Sequence, residues 1–169
     1  EGVEAELVRS LAEDAGRFAR SFREAEGARL QADLEARLSA MAEALDRVEV
    51  RAPQRLVAER DRLRDAVKEL SEQAPLGEDR LAREVAYLAE KWDINEELVG
   101  FRSHIELFAE ALSGDGAEPV GKRLGFLVQE MHREANTIGS KANDAEISHA
   151  SVSLKEEVER IREQVENIE

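Results

Sequence analysis

The chain has 169 residues, of which 42% are hydrophobic, only 4% aromatic and 37% charged, with a formal net charge of −14 and no cysteine. Without cysteine, disulfides and thiolate metal sites are excluded, and a reducing compartment, the cytoplasm, is the expected location. No apolar run approaches the roughly 20 residues that span a bilayer, no signal peptide is visible, and few aromatics among many charges suit long helices packed through narrow seams.

The first residue is Glu1, and a helical pattern is already running at Val3. The chain is therefore expected to be cut from the N-terminal side of a longer protein. Val8, Leu11, Ala15, Phe18 and Phe22 step by three and four, as do Leu30, Leu34, Leu38, Met41, Leu45 and Val48, which is one face of a helix. Gly27 costs roughly 1 kcal/mol relative to Ala in a helix interior, which long flanks absorb. Ala52-Pro53 breaks the pattern, because the residue before proline is pushed out of the α region. Pro53 then suits the first turn of a second helix with the seam Leu56, Leu63, Val67 and Leu70. The pair predicts a long hairpin over residues 1–72, too long to be covered by its own chain and so an oligomerisation arm.

Residues 73–169 are expected to form a C-terminal helical domain. A linker at Ser71–Asp79 carries Pro75 and Gly77, and the helix after it carries Leu81, Val85 and Leu88 up to Trp92. Asp93 with Glu96 has the spacing of a capping box, so a helix starting near Ile94 runs to Leu112. Ser113–Pro119 is a loop. The next helix covers Lys122 to about Ile138, where Gly139 can end it. Asn143 with Glu146 offers another cap, before a final helix through Ile147, Leu154, Val158 and Ile161 to the chain end. No strand-like alternation of useful length occurs. The expected fold is all-α, with about six helices: a hairpin followed by a bundle.

Charge is unevenly spread. Residues 71–118 hold 4 basic and 12 acidic groups, whereas 119–153 hold 4 of each. Acidity argues against polyanionic partners in general, but least so in this neutral stretch. It contains "QEMHREANTIGSKANDAEIS", whose Gln, Asn, Thr and Ser are mediocre helix formers that an inert solvated face rarely accumulates. No Gly-rich phosphate loop, His-Glu-x-x-His pair or nucleophile elbow is present. His104, His132 and His149 are not spaced i, i+4, and His104 and His149 look like histidines at the edge of apolar seams. On the helix, Arg123, Glu130, Glu134, Thr137 and Lys141 form one stripe. Lys122, Gln129, Arg133, Asn136 and Ser140 form its neighbour. Two carboxylates at i, i+4 can share a hard divalent cation, Mg²⁺ or Mn²⁺, and cations a turn away can hold phosphates. The competing reading of Glu130 and Arg133 is an ordinary surface ion pair, which leaves the amide and hydroxyl residues unexplained.

The segment "GKRLGFLVQEMHREANTIGSKANDAEISHASVSLKEEVERIREQVENIE" resembles the end of the YicC-like family of bacterial endoribonucleases. "EKWDINEELVGFRSHIELF" and "FREAEGARLQADLEARLSAM" are similar to two preceding segments of that family, in order. The resemblance runs over essentially the whole chain and is most specific at "REANTIGSKANDAEI". It implies a metal-dependent protein that cleaves RNA, assembles as a homohexamer and has a further N-terminal mixed α/β domain. It brings forward Arg23, Glu24, Gly27, Asp93, Glu96, Glu97, Arg102, Ser103 and His104, with Gln129 to Glu146 as the last block. Two departures stand out: His132 where relatives commonly have Asn, and Gly100-Phe101 in "LVGFRSH" where they commonly read "LVRLRSH". A missing Arg that contacted RNA would weaken binding without altering a metal cluster.

Together these readings select Glu130, Glu134, Arg133 and Asp144 for cleavage, and Glu130, Glu134 and Glu146 as cation ligands. Lys122, Gln129, Asn136, Thr137, Ser140, Lys141, Arg102 and Arg23 are expected against single-stranded RNA, whose sugars and base edges suit amides and hydroxyls. The alternative is a helical scaffold or adaptor, in which the same block packs on a partner or another subunit.

Overall fold

The computed structural model describes residues 2–70, 78–114, 120–166 and 168. Among them are five helices and no strand: α1 (Gly2–Leu70), α2 (Glu78–Lys91), α3 (Asn95–Leu112), α4 (Gly121–Ser140) and α5 (Ala145–Val165). The all-α expectation holds. None of these helices is long and apolar enough to cross a membrane.

The expected break at Ala52-Pro53 is absent, because α1 continues through Pro53 as one helix of 69 residues. This reduces the expected six helices to five. An interior proline costs about 3 kcal/mol through its missing N–H and its ring. Here Pro53 lies on the exposed side of α1, where water can serve the carbonyl it leaves without a donor. The buried side is anchored on both flanks of the proline by Val48, 1% exposed, and Arg55, 4% exposed. Packing at those flanks outweighs the local preference.

The chain divides within α1 into two compact units, Glu1–Ala36 and Arg37–Glu169. In the first, Leu7, Val8, Leu11, Phe18 and Phe22 are each more than half exposed and share one helix face. The second unit holds the core. Leu38, Met41, Leu45 and Val48 of α1, Phe101 and Phe108 of α3, Met131 and Ile138 of α4, and Leu154 and Ile161 of α5 are all buried. Helix α4 is central, packing on α3 along one side and on α5 along another. Gly139 and Ser151 make the α4–α5 crossing close. Ser151 Oγ donates to the Ala135 carbonyl at 3.0 Å, and a Cβ on Gly139 would lie 2.5 Å from that oxygen.

Helix ends are tied down by side chains from α1. Buried Arg55 donates to the carbonyls of Lys141, at 2.9 Å, and Ala142 at the end of α4. It also donates to the carbonyl of Trp92 just past α2, and its guanidinium lies 5.7 Å from the Trp92 ring centroid. One fork thus serves three carbonyls that helix termini leave without donors. The expected cap Asn143 is displaced by one residue. Asp144 caps α5, accepting from the backbone N–H of Glu146 at 3.0 Å and Ile147 at 3.2 Å, while Asn143 takes a left-handed φ of 37° to turn the chain. Asp93 receives the Asn95 N–H at 2.9 Å, but α3 begins at Asn95 after Ile94, which has no side-chain cap, so the expected capping box of Asp93 with Glu96 is not seen. The expected linker and loop lie partly at 71–77 and 115–119, outside the described residues.

Candidate metal centre and its polar face

Helix α4 turns Glu130 and Glu134 to one side, one turn apart, and α3 lies antiparallel along that side. His104 of α3 meets them there: one ligand atom from each of His104, Glu130 and Glu134 lies within 4.8 Å of the other two. All three are half-buried. His104 Nδ1 is buried without a hydrogen-bond partner, a state that costs free energy in an ordinary structural histidine.

Beside the apolar core that α3 and α4 share runs a ladder of polar residues. Lys141 Nζ donates to Glu97 Oε1 at 2.8 Å. Next to it Glu134 lies over Gly100, where a Cβ would come 3.4 Å from Glu134 Oε1. His104 and Glu130 follow. Glu97 is 8% exposed, and its Oε2 is buried without a partner. Burial, and then the neighbouring charge of Glu97, push the Glu134 carboxyl above the ordinary carboxylate range, against the attraction of Arg133 and His104. His104, Glu130 and Glu134 thus form a group of donor atoms that could hold a cation.

The remaining predicted residues separate into groups. Arg133 is exposed and sits 3.6 Å from Glu130 Oε2. Lys122 and Gln129 are exposed on α4. Asn136 Nδ2 lies 3.1 Å from His132 Nδ1. The hydroxyls of Thr137 and Ser140 donate to carbonyls of their own helix, at 3.2 and 2.9 Å. Lys141 is occupied by Glu97, and Arg102 by Asp46 and Glu49 at 2.7 and 2.8 Å. Arg23 is exposed on α1 in the first unit. Asp144 is committed to the α5 cap and to Arg51, whose Nη2 reaches it at 2.8 Å. Glu146 faces Arg51 at 3.7 Å and is not part of the three-residue group. The Arg51 guanidinium holds the Asp144 carboxyl below its ordinary value, with the two helix amides adding to the effect.

Periodicity treated His104 as an edge residue and gave Glu97 no role, although the resemblance brings both forward. The missed signal is their spacing: 97, 100 and 104 form one stripe on α3, with a glycine opposite Glu134.

The model of the "Endoribonuclease YicC-like, C-terminal" family matches residues 48–169, which include the whole ladder. A "Probable endoribonuclease YicC" of Clostridioides difficile is 37% identical over 164 residues, 96% of this chain and 55% of that protein. The chain belongs to the YicC-like endoribonuclease family. A second protein of that name, from Haemophilus influenzae, is 34% identical over 149 residues, covering 88% of the chain and 50% of that protein. The chain thus spans about half the length of the YicC relatives it matches. Within the YicC-like portion, Gly100 adjoins the carboxylate centre itself, so a longer side chain there would enter the site.

Proposed function

We propose that this chain carries the cleavage centre of a divalent-metal-dependent endoribonuclease acting on single-stranded RNA as a homo-oligomer. The observation that supports it best is the convergence of His104, Glu130 and Glu134 from two helices onto one point. The donor set fits a divalent cation, with two carboxylate oxygens and one imidazole nitrogen, and buried unpartnered atoms at His104 and Glu97. The imidazole favours Mn²⁺ over Mg²⁺. When bound, the cation supplies Lewis acidity toward a phosphodiester.

The chain's own groups arrange the rest. Glu130 and Glu134 fix the ligand geometry from a rigid helix. Glu97, buried behind them, holds the Lys141 ammonium at the end of the ladder, where it can balance phosphate charge. Arg133 stands one position from Glu134, its side chain 75% exposed, and is placed to grip a phosphate oxygen. The exposed apolar face from Leu7 to Phe22 fits a contact between copies, and the family resemblance favours a hexamer. Incubation of the full-length protein with labelled single-stranded RNA tests the reading: cleavage with Mn²⁺, none with EDTA. Glu134→Gln keeps size and helix propensity but removes a ligand charge, and is expected to reduce cleavage by about 100-fold or more. Metal-independent binding without cleavage would favour the scaffold reading.

A further inference from the structure

We propose that Phe126 is a stacking platform for a nucleobase next to the cleavage centre, with Arg123 and Arg133 gripping the backbone on either side. The proposal rests on the endoribonuclease reading and adds to it a base-binding subsite.

The second unit contains three phenylalanines. Phe101 and Phe108 are fully buried, at 0% exposure, whereas Phe126 is 59% exposed. It lies in the middle of α4, a helix whose other large apolar residues supply the core. A phenyl ring left in water has forgone the stabilisation of burying an aromatic side chain, on the order of 2 kcal/mol. Its position in the helix gives it a use. Residues 123, 126, 130 and 133 step by three and four, so Arg123, Phe126, Glu130 and Arg133 share one face. Phe126 is one turn, about 5.4 Å, from the ligand Glu130. That is a short step for one nucleotide with its phosphate at the carboxylate centre.

The flanking charges select the occupant. Arg123 is exposed and has no hydrogen-bond or ion-pair partner among the described residues. Arg133 is exposed and, among the described residues, has a loose 3.6 Å pair with Glu130 beside a longer-range attraction to Glu134. An aromatic face between two cations, on the rim of a carboxylate centre, matches the alternation of base and phosphate in a single strand. A single ring flanked by cations offers far less apolar area than a stable protein interface, which buries about 800 Å² per partner, whereas one ring is enough for one base. Every base has a π-face, so this subsite would accept RNA without sequence preference.

The test uses the full-length protein and a fluorescein-labelled oligouridine, with binding measured in EDTA so that cleavage does not interfere. Phe126→Leu keeps apolar bulk and helix propensity but removes the π-face. It is expected to weaken binding by about 5- to 150-fold, the range for one stacked base. Phe126→Tyr keeps the ring and is expected to bind like the parent. Mn²⁺ affinity without RNA is expected to be unchanged in both, because neither alters a ligand. Phe126→Trp provides a direct signal, in that indole fluorescence should be quenched as oligouridine is added. Binding by Phe126→Leu equal to the parent, without quenching in Phe126→Trp, overturns the stacking subsite while leaving the nuclease reading intact. A changed oligomeric state of Phe126→Leu by light scattering overturns it in favour of a subunit contact. A parent that binds no RNA removes the nuclease reading on which the subsite depends.

Discussion

The clearest division of labour at the level of single residues is between Glu134 and Asp144, two carboxylates expected to share one chemistry. Glu134 is pressed above the ordinary range by burial and by Glu97, and faces a histidine and a second glutamate. Asp144 is pulled down by Arg51 and two backbone amides, so its charge is already used in holding α5. Asp144→Ala is expected to lower stability by about 0.5–2 kcal/mol through the lost cap, and Asp144→Asn by less, since an amide oxygen can still accept from the helix. The depressed carboxyl also fixes the sign of the pH effect. Its contribution is fully present above the ordinary aspartate value and is lost as pH falls through the lower folded value. The difference in melting temperature between parent and Asp144→Ala should therefore shrink below about pH 4. A difference that stays constant into acid would show that the carboxylate charge plays no part.

The helices themselves were largely legible, for a reason specific to each. The seam of α4 is legible because each of its buried positions, Leu124, Leu127, Val128, Met131, Ala135 and Ile138, is apolar at helical spacing. The break expected at Pro53 follows from its local preference, whereas the contacts that override it join Arg51 and Arg55 to Asp144, Lys141 and Trp92 across 37 to 93 residues of sequence. The cap at α5 was missed by one position, since Asn143 and Asp144 are both capping residues and only the left-handed turn at Asn143 decides between them. The α4–α5 crossing gives a further test. Gly139→Ala puts a methyl group 2.5 Å from Ser151 Oγ, and overpacking of this kind costs about 1–3 kcal/mol. Adding Ser151→Ala removes that oxygen, so the double variant is expected to be more stable than Gly139→Ala alone. Additive losses in a denaturant melt would place the strain elsewhere.

For the whole molecule, the candidate site is half legible. The proximity of Glu130 and Glu134 can be read from the sequence because both lie on one helix, where spacing alone brings side chains together. His104 comes from another helix, and no spacing rule connects residues 104 and 130. Despite the net charge of −14, the cations of α4 are legible, because residues 119–153 are locally neutral and Lys122, Arg123 and Arg133 are exposed on that helix. The apolar face of the first unit predicts self-association, with light scattering giving a mass several times that of one chain; a monomer at all concentrations would leave Leu7 to Phe22 without a function. The proposed cation centre depends most on His104, which would add a third ligand atom to Glu130 and Glu134. The decisive measurement is the Mn²⁺ dependence of RNA cleavage by full-length protein carrying His104→Gln. Half-maximal activity is expected to require at least about tenfold more Mn²⁺ than in the parent, with the fold intact by circular dichroism. An unchanged Mn²⁺ midpoint and rate would contradict it.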